Sequence, residues 1–422
     1  MKIKYFLATI TELDSCPFDP TKPVVPEETV NQSLLTAANG QKTAVLDTLE
    51  RLVNIESGSA DAVGMAEMNN LLEQELKSLG FTVTRHPTTG STADRVSVGD
   101  NIIGVLHGNG GKNIMLQAHQ DTVYARGALA KAPFRVEGDL AYGPGIADAK
   151  GGIAVILHSL KLLKAQNFKD FGTITVLFNT DEEQSSVGSK DLITSTAKLS
   201  DYILSFEPTS VDPEGVALGA SGIGTATVAI TGRAAHAGAE PEKGVNAIVE
   251  AADLVLRTAD LDEGSGGLRF TWTMAQGGEV RNIVPANASL TADIRYPSND
   301  KFNSFVNDLK ARVAKQKLPE AKINLDIATA RPAFDVKEPD QLLIDKAIEI
   351  YKSIGYTLEV FPKSGGGTDA AFAALSGNPV IEGLGLPGVG YHTTTAEYIS
   401  TEAIPRRLYL TAKLMMNLAQ SN

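Results

Sequence analysis

Two adjacent glutamates, Glu182 and Glu183, form the part of the sequence best suited to chemistry. They follow the apolar run 173–178, whose β-branched and aromatic residues after Gly172 predict a buried strand. Open α/β sheets carry their sites at the carboxyl ends of strands, so both carboxylates are expected at such an end. Because neighbouring side chains point in different directions, one carboxylate can bind a metal ion while the other moves a proton. Taken alone, the acidic run 181–183 also fits a solvated turn.

Further imidazole and carboxylate side chains follow other predicted strands and glycine-rich turns. His119 ends one strand, and Asp121 lies where it can accept the second ring N–H, as carboxylates that orient metal-bound imidazoles do. Such side chains without a thiolate suit Zn²⁺, with Co²⁺ or Mn²⁺ as substitutes. They exceed what one catalytic zinc needs and suffice for two ions that share a carboxylate. The candidate ligands are His119, Asp148, Glu182 or Glu183, Glu207 and His392.

Helices that alternate with apolar strands predict an α/β domain with a mostly parallel sheet. Helical spacing predicts helices at 42–53, 63–79 and 153–163, and apolar runs predict strands at 81–84, 101–106, 113–118, 173–178 and 202–206, with a hairpin at 134–142. From about residue 220 the predicted order becomes βαββαβ, the ferredoxin-like unit. The first pattern resumes near residue 340. We therefore expect a discontinuous catalytic domain, 33–218 and 331–422, with an inserted domain at 219–330.

Composition narrows the class of protein. The chain has 422 residues, enough for two domains, and 38 Lys and Arg against 50 Asp and Glu argue against a nucleic-acid partner. A single cysteine, Cys16, excludes an internal disulfide and a thiolate metal cluster. No apolar stretch approaches the roughly 18 residues of a membrane span. Residues 1–32 begin like a secretory signal, but Glu12 and Asp14 interrupt the apolar region of such a signal. We interpret residues 1–32 as a leader or disordered arm.

Six short motifs surround the candidate residues. They are 118–124 (AHQDTVY), 143–152 (GPGIADAKGG), 181–183 (DEE), 205–208 (SFEP), 365–369 (GGGTD) and 390–392 (GYH). Together they resemble the motifs of the dinuclear zinc metallopeptidases of the aminoacylase and carboxypeptidase clan, and within it the bacterial glutamate carboxypeptidases that cleave folates. The resemblance covers about residues 40–420. It implies a zinc-exopeptidase domain with a mixed sheet flanked by helices and a ferredoxin-like lid and dimerisation domain.

The resemblance implies a ligand set for two Zn²⁺ ions per subunit. Asp148 would bridge the two ions. His119 and Glu207 would complete one site, and Glu183 and His392 the other. The peptide bond after Asp148 would be cis.

The resemblance also implies which residues act on the substrate. Glu182 would be the general base, and Asp121 would support catalysis beside it. His236, from the lid of a partner subunit, would stabilise the oxyanion, so a homodimer is expected. On sequence alone His236 is equally a loop histidine without a function.

The expected substrate is a small molecule with a free C-terminal carboxylate. Asn282 and Arg295 match family positions that bind this carboxylate, and Gly367 offers a backbone N–H. Arg suits a carboxylate because its guanidinium can form two parallel hydrogen bonds. Without the motif, Arg295 fits a solvated strand residue. Arg331 matches the arginine that glutamate-specific relatives place near the substrate side chain.

One position departs from the glutamate-specific relatives. Gly215 stands where they carry a lysine, and Glu214 beside it adds a negative charge. We still expect zinc-dependent release of glutamate from folates, antifolates or N-acylglutamates, and the departure leaves open an aminoacylase or dipeptidase that prefers a neutral or aromatic residue. A binding protein that has lost catalysis is a third reading, which the intact Glu182 and ligand set disfavour. Relatives of this type are often exported, so a periplasmic or secreted location is expected, with the cytoplasm as the alternative.

Overall fold

The structure is a computed structural model that describes residues 27–90, 97–361, 367–393 and 397–421. Most of the predicted arm, residues 1–26, lies outside these ranges. The first helix, α1 (Gln32–Asn39), begins where the arm was expected to end. It starts there because the side chain of Asn31 accepts the otherwise free N–H of Leu34.

The chain up to residue 218 follows the predicted order closely. Gly80 ends the helix α3 with a φ of +100°, a left-handed conformation that glycine adopts without strain. After α1 the elements are α2 (Lys42–Val53), α3 (Ala62–Leu79), β1 (Thr82–Pro87), β2 (Asp100–His107), β3 (Ile114–His119), α4 (Ala128–Lys131), β4 (Arg135–Glu137), β5 (Leu140–Tyr142), α5 (Gly152–Ala165), β6 (Thr173–Asn179), α6 (Lys190–Ala197), β7 (Tyr202–Ser205) and β8 (Gly215–Ala217).

The next segment forms a separate antiparallel sheet. Its elements are β9 (Gly219–Ala220), β10 (Gly222–Thr231), β11 (Ala235–His236), α7 (Ala247–Thr258), β12 (Arg269–Gly277), β13 (Ile283–Val284), β14 (Asn287–Tyr296), α8 (Asn299–Val313) and β15 (Lys322–Arg331). The sheet has the strand order β12-β14-β10-β15, and its residues form a hydrophobic core of their own. The predicted βαββαβ order is therefore present, and we call residues 222–331 the lid segment.

The rest of the chain returns to the first part. Its elements are β16 (Phe334–Asp335), α9 (Glu338–Ser353), β17 (Glu359–Phe361), α10 (Ala370–Ala373), β18 (Val380–Ile381), β19 (Gly388–Val389), β20 (Tyr398–Ser400) and α11 (Ile404–Ala419). Strand β18 pairs with β7, β17 with β8 and β16 with β9, so the chain on both sides of the lid segment shares sheets. The domain boundaries themselves stay a prediction. Every helix within the described ranges is too short or too polar to cross a membrane.

The largest sheet has the order β1-β2-β6-β3-β7-β18 and is mixed. Strands β6, β3, β7 and β18 run parallel, whereas β1 and β2 pair antiparallel with each other and β2 pairs antiparallel with β6. The main sheet is therefore mostly parallel, as the alternation predicted, and its antiparallel edge makes it the mixed sheet that the resemblance implied. Neighbouring parallel strands need a crossover, usually a helix, and the sequence predicts no helix between β1 and β2.

The carboxyl ends of the parallel strands bring candidate residues together. His119 is the last residue of β3, the acidic pair 182–183 follows β6, and Glu207 follows β7. Because β3 pairs in parallel with both β6 and β7, these three ends lie side by side at one edge of the sheet.

Candidate active site

Five side chains form two groups that could each hold a metal ion. The ligand atoms of His119, Asp148 and Glu207 all lie within 4.8 Å of one another, and so do those of Asp148, Glu183 and His392. Asp148 belongs to both groups. Its Oδ1 lies 2.9 Å from His119 Nε2, and its Oδ2 lies 3.5 Å from His392 Nε2. One carboxylate oxygen of Asp148 therefore faces each histidine.

Two of these side chains come from loops and not from strand ends. Asp148 lies in the glycine-rich turn before α5, and the peptide bond between Asp148 and Ala149 is cis, as the resemblance implied. His392 follows β19 and has a φ of +61°, a left-handed conformation that is uncommon for a residue with a side chain. Neither conformation follows from the local sequence pattern.

Asp121 holds both the imidazole and the acidic pair. Nδ1 of His119 lies 3.0 Å from the Asp121 carbonyl oxygen and 3.3 Å from its carboxylate, so the backbone is the nearer partner. The carboxylate also accepts the N–H groups of Glu182 and Glu183 at 3.1 and 3.2 Å and the hydroxyl of Ser59 at 2.7 Å. Asp121 therefore orients residues on both sides of the site.

Glu182 stands outside both ligand groups and pairs with a buried arginine. Arg331 Nη1 lies 2.7 Å from Glu182 Oε1 and 3.0 Å from Asp369 Oδ1, and its Nη2 donates to the carbonyl oxygen of Glu182 at 2.8 Å. Only 2% of Arg331 is exposed. The guanidinium therefore fixes Glu182, a contact that joins residues 149 positions apart and that sequence analysis did not predict.

Burial and mutual repulsion set the charge of the site. Burial, together with the neighbouring negative charge of Asp148, raises the pKa of Glu183 to about 8. Burial also raises the pKa of Glu182 and Glu207, although Arg331 and His119 oppose the shift. So many close, buried carboxylates are costly unless cations neutralise them. Divalent metal ions, which bind deprotonated carboxylates and neutral imidazoles, suit this environment.

A cavity of about 830 Å³ joins the two groups to the predicted substrate residues. Besides four of the five ligand candidates and Glu182, its walls include Arg295, Arg331 and Gly367. Arg295 is paired with Asp293 at 2.9 Å. Three of the four predicted substrate residues therefore share this cavity, whereas the fifth ligand candidate, His119, is buried and does not line it.

His236 and Asn282 do not line the cavity among the described residues. They lie together on the lid segment, where β11 pairs with β13 and the N–H of Ala237 donates to the Asn282 carbonyl oxygen at 2.9 Å. The Nδ1 atom of the exposed His236 accepts the N–H groups of Gly238 and Ala239. Within the described ranges the Nε2 atom of His236 makes no hydrogen bond, so this edge of the ring can contact another molecule.

Comparisons with known proteins identify the family. Residues 115–417 match the family model of Peptidase family M20/M25/M40. The chain belongs to this family. It is 58% identical over 385 residues to carboxypeptidase G2 of Pseudomonas sp. (strain RS-16), a match that covers 91% of this chain and 92% of that protein. The predicted resemblance and enzyme class are therefore confirmed, and this M20 chain is a metal-dependent hydrolase.

More distant relatives share the fold. Succinyl-diaminopimelate desuccinylase of Rhodopseudomonas palustris (strain BisB5) is 27% identical over 370 residues, which cover 83% of this chain and 91% of that one. The crystal structure of aminopeptidase PepT from Bacillus cereus ATCC 10987 superposes with a TM-score of 0.75 at 24% identity and covers 90% of this chain and 99% of that one. The predicted combination of a mixed-sheet α/β part and an inserted α/β segment is thus the M20 fold.

The residues around Gly215 correct one expectation about this M20 chain. Glu214 was expected to repel a glutamate substrate, but it does not line the cavity. Its carboxylate accepts hydrogen bonds from Arg406 and from the Tyr351 hydroxyl. Gly215 is buried in β8, and a Cβ atom there would lie 2.6 Å from the carbonyl oxygen of Glu359. The missing lysine therefore reflects a closely packed strand pair.

Two buried acids of the site, Asp369 and Glu397, were not among the predicted site residues. Asp369 ends one of the six motifs but was given no role, and it accepts hydrogen bonds from Arg331 and Asn179. Glu397 lies five residues after His392 and accepts hydrogen bonds from the turn that carries Asp148. A single acid just before the short strand β20 was the available signal, and it does not distinguish a buried carboxylate from a solvated one.

Proposed function

We propose that this M20 chain hydrolyses an amide bond and releases a C-terminal amino acid, with two zinc ions per subunit. The observation that carries the proposal is the position of Asp148, whose two oxygens face the two ligand groups. A carboxylate shared in this way could help to hold two neighbouring metal ions, as two-metal hydrolases do.

The donor set fits zinc. The five candidates supply imidazole nitrogen and carboxylate oxygen and no thiolate, which suits Zn²⁺ and permits Co²⁺ or Mn²⁺. Zinc held there would polarise the scissile carbonyl and lower the pKa of a bound water. His119 and Glu207 would hold one ion, and Glu183 and His392 the other.

Glu182 is the proposed general base. It lies in the cavity, belongs to neither ligand group and is held by Arg331 at 2.7 Å. Its carboxylate takes a proton from the attacking water and passes it to the leaving nitrogen. Arg331 opposes the rise in pKa that burial causes, which favours the ionised form that a base needs. Asp121 orients His119 and the backbone of Glu182 during these steps.

The substrate carboxylate would meet Arg295 and the N–H of Gly367 in the same cavity. Glutamate is the first candidate for the released residue, because the motifs resemble those of glutamate carboxypeptidases and a relative named carboxypeptidase G2 is 58% identical. Arg331 would then contact the glutamate side chain as well as Glu182. A neutral or aromatic residue is the second candidate, since Gly215 provides no cation and Ile223 and Phe361 line the cavity.

His236 and Asn282 are proposed to act on the site of a partner subunit. Both lie on the lid segment, and neither lines the cavity of its own chain. In a homodimer, the lid segment of one subunit would bring its His236 to the developing oxyanion in the site of the other subunit. The exported location and its cytoplasmic alternative stay predictions.

Hydrolysis of a substrate panel tests this function. The protein is stripped with a chelator, reloaded with zinc and incubated with folate, methotrexate and N-acyl derivatives of glutamate, norvaline and phenylalanine. We expect zinc-dependent release of the free C-terminal amino acid, with glutamate released fastest. Preference for norvaline or phenylalanine would support the second candidate. An absence of amide hydrolysis with fully zinc-loaded protein would contradict the proposal.

A further inference from the structure

Neither Asp148 nor His392 lies in a strand or a regular α-helix, so other groups must hold these two ligand candidates in place. Asp148 belongs to the turn 143–151 before α5, and two residues of this turn have non-helical backbone angles. His392 follows the two-residue strand β19. The position of Asp148 between the two ligand groups depends on how these two loops are held relative to each other.

Glu397 accepts hydrogen bonds from the turn that carries Asp148. Its Oε2 accepts the N–H of Gly145 at 2.9 Å, and its Oε1 accepts the N–H groups of Ala147 and Asp148 at 3.0 and 3.2 Å. The side chain is 3% exposed. Both oxygens of one buried carboxylate are thus used to gather three N–H groups of the turn, the last of which belongs to Asp148 itself.

Tyr124 connects this carboxylate to two other ligand-bearing segments. Its hydroxyl contacts both Glu397 Oε2 and the carbonyl oxygen of Thr393 at 3.1 Å. Tyr124 follows the segment of His119 and Asp121, and Thr393 directly follows His392. Glu397 therefore lies where the segments of His119, Asp148 and His392 meet.

A buried lysine of the same turn, Lys150, donates hydrogen bonds to backbone carbonyl groups. Lys150 Nζ donates to the carbonyl oxygen of Ile55 at 2.9 Å and lies 3.4 Å from the carbonyl oxygen of Pro144. Lys150 is 2% exposed. The Glu397 carboxylate thus binds N–H groups of the turn, and the Lys150 ammonium group binds one of its carbonyl groups. These contacts restrict the position of Asp148.

We propose that Glu397 is a positioning residue of the metal centre, whose carboxylate holds the turn 145–148 so that Asp148 faces both ligand groups. Glu397 belongs to neither group and does not line the cavity. It acts through the backbone, and its effect falls on metal affinity before it falls on substrate binding. The inference rests on the proposed function for the identity of the metal.

Glu397→Gln tests the role at constant side-chain size. The amide keeps one acceptor oxygen and places an NH₂ group against the backbone N–H groups of the turn. We expect zinc affinity, measured by competition with a chromophoric chelator, to fall by about 10- to 100-fold, as is typical when a partner of a metal ligand is lost. Glu397→Asp keeps the charge and should recover part of this affinity. At zinc concentrations that load the variant, KM should stay at the wild-type value.

Asp340→Asn is the matched control. Asp340 is a buried carboxylate that accepts the N–H groups of Lys337 and Val380 at 2.6 and 2.7 Å and lies outside both ligand groups. Asp340→Asn should lower thermal stability without lowering the affinity for zinc. Zinc affinity of Glu397→Gln equal to that of Asp340→Asn would overturn the inference and leave Glu397 a structural residue.

Two further results separate the possible failures. If Glu397→Gln does not fold, Tyr124→Phe removes one donor and leaves the carboxylate in place; it should weaken zinc less strongly, and unchanged affinity would overturn the inference. If the wild-type chain binds no zinc, the proposed function and this inference both fail. If the wild type binds two zinc ions and Glu397→Gln binds them equally tightly, only the inference fails.

Discussion

Gly215 has no space for a side chain, which predicts the effect of restoring the lysine found in glutamate-specific relatives. A Cβ atom at this position lies 2.6 Å from the Glu359 carbonyl oxygen and 2.6 Å from a ring carbon of Phe361, closer than Cβ atoms approach in real proteins. Both neighbours belong to β17, which pairs with β8. Overpacking of this kind costs about 1–3 kcal/mol, and burying an ammonium group adds to it. Gly215→Lys should therefore lower the free energy of unfolding by at least about 1–3 kcal/mol without raising the preference for glutamate.

Urea unfolding and hydrolysis of N-acylglutamate and N-acylnorvaline measure the two effects separately. Gly215→Ala adds only the Cβ atom and isolates the steric cost. Gly40→Lys is the control, because a Cβ atom there approaches nothing closer than the Ala37 carbonyl oxygen at 3.5 Å. The control should be close to wild type in stability. If Gly215→Lys is as stable as wild type and favours glutamate more strongly, β8 and β17 can accommodate the side chain. This result would contradict the expected steric cost at Gly215.

Three other predictions concern catalysis, assembly and acid stability. Glu182→Gln should keep zinc and lower kcat by about 10²- to 10⁴-fold, because the general base is lost; zinc analysis and kinetics on one sample check this, and near-normal turnover would defeat the assignment. His236→Ala and Glu182→Gln should each be inactive alone but regain activity when mixed and reassociated, because a hybrid dimer has one intact site; a mixture that stays inactive would exclude donation from the partner. Burial, together with the positive charge of Lys161, lowers the pKa of His158 to about 4. The unfolded histidine takes up its proton at a pKa of about 6.5, so stability present above that pH is lost as the pH falls toward 4, by about 3 kcal/mol in total. His158→Gln should lose less stability than wild type in urea titrations across this range, and parallel losses would contradict the assignment.

The part of the site that sits on strand ends was predictable from sequence. His119, Glu182, Glu183 and Glu207 each follow an apolar run that ends in polar residues, and parallel strands align their carboxyl ends. The helices and strands of the lid segment were also predictable, because β-branched runs and helical spacing are local signals. The antiparallel edge formed by β1 and β2 was not predictable, because the pairing of strands depends on how the chain runs between them in the folded protein.

Long-range contacts account for what sequence analysis missed. Arg331 reaches Glu182 across 149 positions, and Glu397 reaches Asp148 across 249. Nothing in the type or spacing of these residues distinguishes them from solvated charges. His392 was a candidate because it follows a glycine-rich turn and ends a motif, but its positive φ was not predictable, because its loop has no periodicity. Burial decides the role of such residues, and burial depends on the complete fold.

Anomalous diffraction at the zinc edge tests the central claim most directly. A crystal of the zinc-loaded protein should show two peaks per subunit on either side of Asp148, one among His119 and Glu207 and the other among Glu183 and His392. A single peak, or peaks away from Asp148, would contradict the two-zinc centre on which the proposed mechanism depends.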